Sequence, residues 1–127
     1  MPPVLLVFLG AGLGGVLRHG VNMLAPRLIG TGFPAGTLFI NVLGSLLIGA
    51  IAGTLAMRAG HGWSMPARLF LITGVLGGFT TFSAFSLEFA LLVERGEAGL
   101  AALYVGASVG LSLIAVFAGL AAARAFA

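Results

Sequence analysis

The chain has 127 residues, of which 60% are hydrophobic and only 7% are charged, whereas soluble domains carry about 25% charged residues. The net charge of +3 comes from scattered arginines without any lysine, which argues against a basic patch and a nucleic-acid partner. Cysteine and aspartate are absent, so disulfides, thiolate chemistry and paired catalytic carboxylates are excluded and we do not expect an enzyme.

Long uncharged runs predict four membrane-spanning helices. Crossing the hydrocarbon core takes about 20 apolar residues, and residues 1–17, 28–57, 69–87 and 98–123 approach or exceed that length. No Lys or Arg precedes the first run, so we interpret it as a span rather than a cleaved signal. We predict an all-α, multi-pass protein of the cell membrane. It forms a single domain over residues 1–127, with helices at about 4–24, 36–57, 66–94 and 98–124.

The first span contains a glycine-rich pattern and an isolated charge. Its "GAGLGG" fits the dinucleotide-binding pattern, but that fold needs an acidic residue about 20 positions later, and the first one is Glu88. Helix packing is the better interpretation of these glycines. Arg18 either enriches anions near a vestibule or extends its charge to the membrane surface.

Glycines four residues apart recur in every span. This spacing lets the backbones of neighbouring membrane helices approach closely, so it favours a compact bundle and an oligomer. The pairs are Gly10–Gly14, Gly49–Gly53, Gly74–Gly78 and Gly106–Gly110.

Polar residues at helical spacing form stripes on the second and fourth spans. Any one hydroxyl group is best explained by a bond to a carbonyl of its own helix or to a neighbouring helix. Several stripes together favour a partly hydrated, hydrogen-bonding path. Their members are Thr37, Asn41 and Ser45 in the second span and Tyr104, Ser108 and Ser112 in the fourth, and the third span supplies Thr80, Thr81, Ser83 and Ser86.

The third span carries the most unusual segment, "GGFTTFSAFS". Adjacent glycines and β-branched threonines weaken a helix, which predicts a break near the middle of this span. Carbonyl oxygens freed near Gly77 and Thr80 would suit a small, hard cation. Phe82 and Phe85 follow, and their rings face lipid or core, or present a positive edge to an anion. Glu88 lies about one turn further on, and we expect it near the pore.

Three motifs, "GGVLR" ending at Arg18, "GTLFIN" followed by Gly44, and "GGFTTFSAF", resemble the Fluc (CrcB-type) fluoride channels over the whole chain. The resemblance implies a passive fluoride exporter, built as an antiparallel, dual-topology homodimer with two pores. It also implies a structural Na⁺ at the dimer interface, held by the carbonyls of Gly77 and Thr80. The pore residues implied by the family are Phe82, Phe85, Asn41, Ser83, Ser108 and Ser112. The residues themselves add Thr37, Tyr104, Arg18 and Glu88 as candidates, while Ala84 stands where the family often has a hydroxyl.

Arginines are nearly balanced between the two sides of the predicted bundle. Arg58, Arg68 and Arg124 lie on the side of the termini, and Arg27 and Arg95 lie opposite, with Arg18 joining them if it extends that way. A weak bias permits insertion in both orientations, although a difference of one charge could also fix a single orientation.

Two other functions compete with the channel. A small proton-coupled multidrug exporter also has four short spans, but it needs a membrane-embedded carboxylate early in the chain, where this sequence has only Arg18. A non-transporting assembly factor would explain the packing glycines but gives no reason for a broken third span. The expected partners are fluoride, a second copy of the chain and the lipid bilayer.

Overall fold

The computed structural model describes residues 1–126, which are helical with no strand among them. Four helical stretches are long and apolar enough to cross a membrane. The third of these, Ser64–Glu94, is called the third span below, and it is made of several pieces. In chain order the elements are α1 (Pro3–Ile29), α2 (Ala35–Ala56), α3 (Ser64–Arg68), a π-helical segment (Leu69–Leu76), α4 (Gly77–Phe79), α5 (Ser83–Glu94) and α6 (Ala98–Ala125).

The predicted end of the first helix, near residue 24, is wrong. Helix α1 continues through Pro26 to Ile29. Proline at this position removes a single backbone hydrogen bond near the end of the helix, and the other bonds of the last turn persist. The Gly30 N–H closes the helix by donating to the Pro26 carbonyl at 3.0 Å, and Gly30 adopts a positive φ of 105°.

The third span contains a π-helical segment that the sequence pattern did not predict. At its end, the Gly77 N–H reaches the carbonyl of Ile72, five residues back. Wide turns of this kind change the direction in which the following side chains point. The segment leads directly into α4, after which the helix is interrupted over residues 80–82.

Glycines pack the first half of the third span against α1. A Cβ atom on Gly74 would lie 2.9 Å from the Cα of Gly10. One on Gly14 would overlap the Val75 carbonyl oxygen and lie 2.8 Å from the Phe79 nitrogen. The two backbones therefore touch directly, which is the use that small residues four apart have in membrane helices.

Helices α2 and α6 also pack through glycine, but not through all of the predicted pairs. A Cβ on Gly49 would overlap the Val116 carbonyl oxygen, and one on Gly119 would overlap the Leu46 carbonyl oxygen. Gly106 and Gly110 have no atom within 4 Å of such a Cβ, so their pair makes no close contact within the protomer. The rotation of α6 turns Gly119 toward α2 instead, a glycine outside the predicted pairs.

Two buried clusters mark where the helices meet. One joins α5 to α6 through Phe85, Leu92, Ala101 and Tyr104. The other contains Ile40 of α2 together with Leu76 and Phe79, which precede the break. The two halves of the third span are thus packed against different partners, with the break between them.

Candidate functional site

The interruption of the third span is held by one asparagine of α2. Thr80 has extended backbone angles, with φ −85° and ψ 158°, which ends α4. The Asn41 amide nitrogen donates to the Thr81 carbonyl, and the Thr81 N–H donates to the Asn41 side-chain oxygen, both at 3.1 Å. Asn41 therefore pairs with both the N–H and the carbonyl of Thr81, where the helix is interrupted. Leaving these two groups unpaired at membrane depth would be costly.

The Thr81 side chain starts the next helix. Its hydroxyl oxygen accepts the Ala84 N–H at 3.2 Å and lies 3.3 Å from the Ser83 hydroxyl. Accepting a free N–H at the first turn of α5 is the role of a helix cap. The sequence places Thr81 in the polar stripe of the third span but not among the candidate pore or metal residues, although a hydroxyl residue three positions before a helical N–H is a signal for this capping role.

Arg18 contacts the same region from α1. Its Nε donates a hydrogen bond to the Gly78 carbonyl at 3.2 Å. Gly78 lies in the short α4 just before the break, where carbonyls lose their helical partners. The charge of Arg18 is thus directed at the backbone of the third span, a partner that neither of the two predicted roles included.

Polar side chains from three elements meet in one open groove of about 480 Å³, called the central groove here. Gly77, Phe82 and Phe85 also line it. The polar residues that line it are Asn41 and Ser45 of α2, Thr80 and Thr81 at the break, and Ser108 and Ser112 of α6. Most members of the stripes predicted on separate helices therefore share one surface, whereas Thr37 and Tyr104 do not line it.

The hydroxyl groups of α6 have unused hydrogen-bonding capacity. The side-chain oxygens of Tyr104, Ser108 and Ser112 are buried and have no hydrogen-bond partner within residues 1–126. Buried polar groups normally find a partner, so the unpaired hydroxyls of Ser108 and Ser112, which line the central groove, can donate to a group that enters it. Ser83, by contrast, is exposed, bonds toward Thr81 and does not line the central groove.

Four aromatic rings form a row that leaves the central groove. The ring centroids of Phe82 and Phe85 are 5.6 Å apart, those of Phe85 and Tyr104 are 5.0 Å apart, and those of Tyr104 and Phe33 are 5.5 Å apart. Phe82 is 77% exposed in the protomer while Phe85 is 8% exposed. The row begins at an open surface and continues into the interior.

Phe33 lines a second cavity, of about 440 Å³, which we call the end cavity. Thr37 and Glu88 both face it, and the Thr37 hydroxyl donates to a Glu88 carboxylate oxygen. Thr37 lies one turn before Asn41 on α2, so the α2 stripe extends from the end cavity to the central groove. Arg95 adds a positive charge to the lining of the end cavity.

The fold and this arrangement define a class: a small, multi-pass helical membrane protein with polar and aromatic side chains gathered at a broken helix. The chain belongs to the CrcB family, because the sequence model described as "CrcB-like protein, Camphor Resistance (CrcB)" matches residues 5–120. Membership and the four spans make it a multi-pass protein of the cell membrane.

Three similar proteins are named as fluoride-specific ion channels. The chain is 60% identical over 121 residues to "Fluoride-specific ion channel FluC" of Rhodopseudomonas palustris (strain BisB5), covering 95% of this chain and 96% of that protein. It is 60% identical over 120 residues to "Fluoride-specific ion channel FluC 2" of Nitrobacter hamburgensis, covering 94% and 95%. A FluC of Granulibacter bethesdensis is 60% identical over 115 residues, covering 89% and 87%.

Proposed function

We propose that the protein is a fluoride-selective channel that lets cytoplasmic fluoride leave the cell passively. The observation that carries the proposal is the central groove, where unpaired hydroxyls of Ser108 and Ser112 face Phe82 and Phe85. Relatives that cover nearly all of the chain are named fluoride-specific channels. A negative potential inside the cell supplies about 2.3 kcal/mol per charge per 100 mV for export, so no ATP is needed.

Fluoride would move along the α2 stripe and the aromatic row. A small anion that loses water needs hydrogen-bond donors, which the hydroxyls of Ser108, Ser112 and Tyr104 provide. The positive edges of the Phe82 and Phe85 rings add weak attraction without binding the ion too tightly. The end cavity with Thr37 and Glu88 would be one mouth of this path.

The functional unit would be an antiparallel, dual-topology homodimer. The central groove is open on the surface of one protomer, and Phe82 is 77% exposed there, so a second copy is needed to enclose a path. Gly106 and Gly110 leave part of α6 free of close contacts, as a packing surface for another helix requires. The balanced arginines fit insertion in both orientations.

A structural Na⁺ would sit between the two protomers. Among residues 1–126 no group of three or more His, Cys, Asp or Glu could hold a metal ion, so the donors would be oxygens of the backbone or of neutral side chains. Gly77 and Thr80 both line the central groove, and the hydrogen bonds at the break use the Gly78 and Thr81 carbonyls rather than theirs. Their carbonyl oxygens are therefore available to a hard cation.

Fluoride efflux from liposomes tests the channel. Liposomes loaded with potassium fluoride and containing the purified protein should release fluoride only when valinomycin lets K⁺ follow. Release of chloride should be far slower under the same gradient. Ser108→Ala combined with Ser112→Ala should lower fluoride release, whereas Ser86→Ala, an exposed position outside the groove lining, should not. Proton-coupled drug exchange without a fluoride current would overturn the proposal.

Orientation tests the dimer separately. Two added lysines in the loop around residues 58–62 should fix one orientation and remove activity when that variant is expressed alone. Two added lysines around residues 31–32 should fix the opposite orientation. Coexpression of the two variants should restore fluoride efflux. Full activity of either variant by itself would show that an antiparallel pair is not required.

The multidrug exporter is not favoured. Helix α1 carries no carboxylate, and the earliest one in the sequence is Glu88, whose side chain is bonded to Thr37. Relatives in the family are named as ion channels, which are not enzymes. We therefore assign no catalytic residue.

A further inference from the structure

The two ends of the bundle differ in charge. The end with α3 and the C-terminal turn of α6 carries Arg58, Arg68 and Arg124, with no acidic side chain. At the other end, Arg27 and Arg95 are matched by the two carboxylates of Glu94 and Glu97. One end is therefore basic while the other has no excess of positive side chains, although both must lie among lipid headgroups.

The basic end contains a pocket between the ends of α2 and α6, which we call the basic pocket. It has a volume of about 480 Å³. Arg58, His61 and Thr54 supply its polar wall, and Met57, Ala122 and Phe126 supply much of its apolar wall. Among residues 1–126, no side chain that lines it carries a carboxylate, so Arg58 has no acidic partner in this wall.

Backbone hydrogen bonds order the loop that carries Arg58 and His61. The Arg58 N–H donates to the Leu55 carbonyl at 3.0 Å, and the His61 N–H donates to the Arg58 carbonyl at 3.1 Å. These turns hold both side chains on the same loop, close to the end of α2. The loop that carries both donors is thus ordered before any ligand arrives, which lowers the entropic cost of binding.

Trp63 indicates how deep the basic pocket lies. Its ring stacks on His61 with a centroid distance of 5.5 Å and an interplanar angle of 25°, and it is 51% exposed. Exposed tryptophans in membrane proteins prefer the level of the lipid headgroups. The pocket beside His61 therefore opens at that level rather than into bulk water.

We propose that the basic pocket binds the headgroup of an anionic phospholipid. Arg58 and His61 would donate hydrogen bonds to its phosphate, since a guanidinium fork matches phosphate oxygens. Met57 and Phe126 would contact the glycerol and the first methylenes of the acyl chains. Basic pockets between membrane helices bind anionic headgroups for these reasons. The inference does not depend on which ion the protein conducts.

Native mass spectrometry of the purified full-length protein tests the site. Delipidated protein is titrated with phosphatidylglycerol and, separately, with phosphatidylcholine. We expect preferential retention of phosphatidylglycerol, reduced about fivefold by Arg58→Gln and further by Arg58→Gln with His61→Gln. Arg68→Gln is the matched control, because it removes the same charge from the same end but lies outside the pocket.

Several results would overturn the proposed lipid site, and each would indicate a different explanation. Equal losses for Arg58→Gln and Arg68→Gln would overturn the pocket in favour of diffuse surface charge. Equal competition by inorganic phosphate, or equal retention of the two lipids, would overturn a lipid headgroup as the ligand. If Arg58→Gln with His61→Gln weakened the dimer and left lipid retention unchanged, the occupant would be acidic residues of a second copy, and the proposal would fail. Chemical denaturation of each variant checks that it remains folded.

Discussion

The two halves of the third span are packed in opposite ways. Before the break, the π-helical segment and α4 touch α1 through glycine, so that backbone meets backbone. After the break, α5 touches α6 through large side chains, with Phe85 against Tyr104 and Leu92 fully buried. The first contact fixes the distance between helices with almost no tolerance, and the second fills a volume that can adjust by rotamer changes.

This difference explains how a membrane helix can be broken at a defined place. Each half has its own partner, so neither half needs helical continuity through residues 80–82. Asn41 then bridges the gap, since it bonds both backbone groups of Thr81. Gly77 and Thr80 line the central groove, which is where we propose that ions are bound.

The largest effect should come from the glycine contact of the first half. We expect Gly14→Ala to cost about 3 kcal/mol of stability, because the new Cβ overlaps the Val75 carbonyl oxygen and backbone cannot move aside cheaply. Gly12→Ala is the control on the same helix, since nothing lies within 4 Å of its Cβ. Thermal unfolding in detergent measures both. Similar unfolding temperatures for the two variants would contradict a backbone contact.

The aromatic contact of the second half should tolerate change better. We expect Phe85→Ala to cost about 2 kcal/mol, less than truncation in a water-soluble core, because lipid can fill part of the space. Phe82→Ala should hardly change stability, since that ring is 77% exposed in the protomer. Fluoride efflux should nevertheless fall in both variants. If Phe82→Ala destabilised the protein as much as Phe85→Ala, the contrast in burial would be wrong.

The junction between the halves can be tested at Asn41. Asn41→Leu keeps a similar size but leaves the Thr81 N–H and carbonyl unpaired, which we expect to cost about 1.5 kcal/mol. Hydrogen exchange at residues 80–84 should accelerate more than exchange in the rest of the span. Ser45→Ala, one turn along the same groove, should leave that exchange unchanged. If hydrogen exchange at residues 80–84 stayed slow after loss of the Asn41 amide, the interruption would not depend on Asn41 for its stability.

Substitution of Arg18 should have the smallest effect, and its result distinguishes two roles of this residue. If it positions the Gly78 carbonyl, Arg18→Met should lower fluoride flux about fivefold, the equivalent of ~1 kcal/mol for one hydrogen bond. Arg18→Gln should retain most of the flux, because its amide still donates. Both results should hold at low and high ionic strength. A loss that is equal in both variants and vanishes in high salt would assign Arg18 to anion enrichment instead.

Parts of the site could be predicted because they depend on local rules. The polar stripes follow from helical spacing, so Asn41, Ser108 and Ser112 were identified before any contact was known. Glycines beside threonines weaken a membrane helix, and the interruption lies at residues 80–82, next to the predicted Gly77–Thr80. The capping role of Thr81 could have been predicted from its hydroxyl, but its bonds to Asn41 could not, because they are made by its backbone, which has no signature in side-chain chemistry.

The sequence by itself determined the class of protein. Apolar runs about as long as the hydrocarbon core is thick predict membrane-spanning helices, and the helix-breaking residues between them separate four spans. Tertiary structure alone decided which faces meet: Thr37 with Glu88, Asn41 with Thr81, Arg18 with Gly78. It also turned Gly119 toward α2 while Gly106 stayed free of contacts, and kept Ser83 out of the groove lining. Periodicity defines a face on each helix, but the rotation of one helix against another follows from close backbone approach, which only the packed chain fixes.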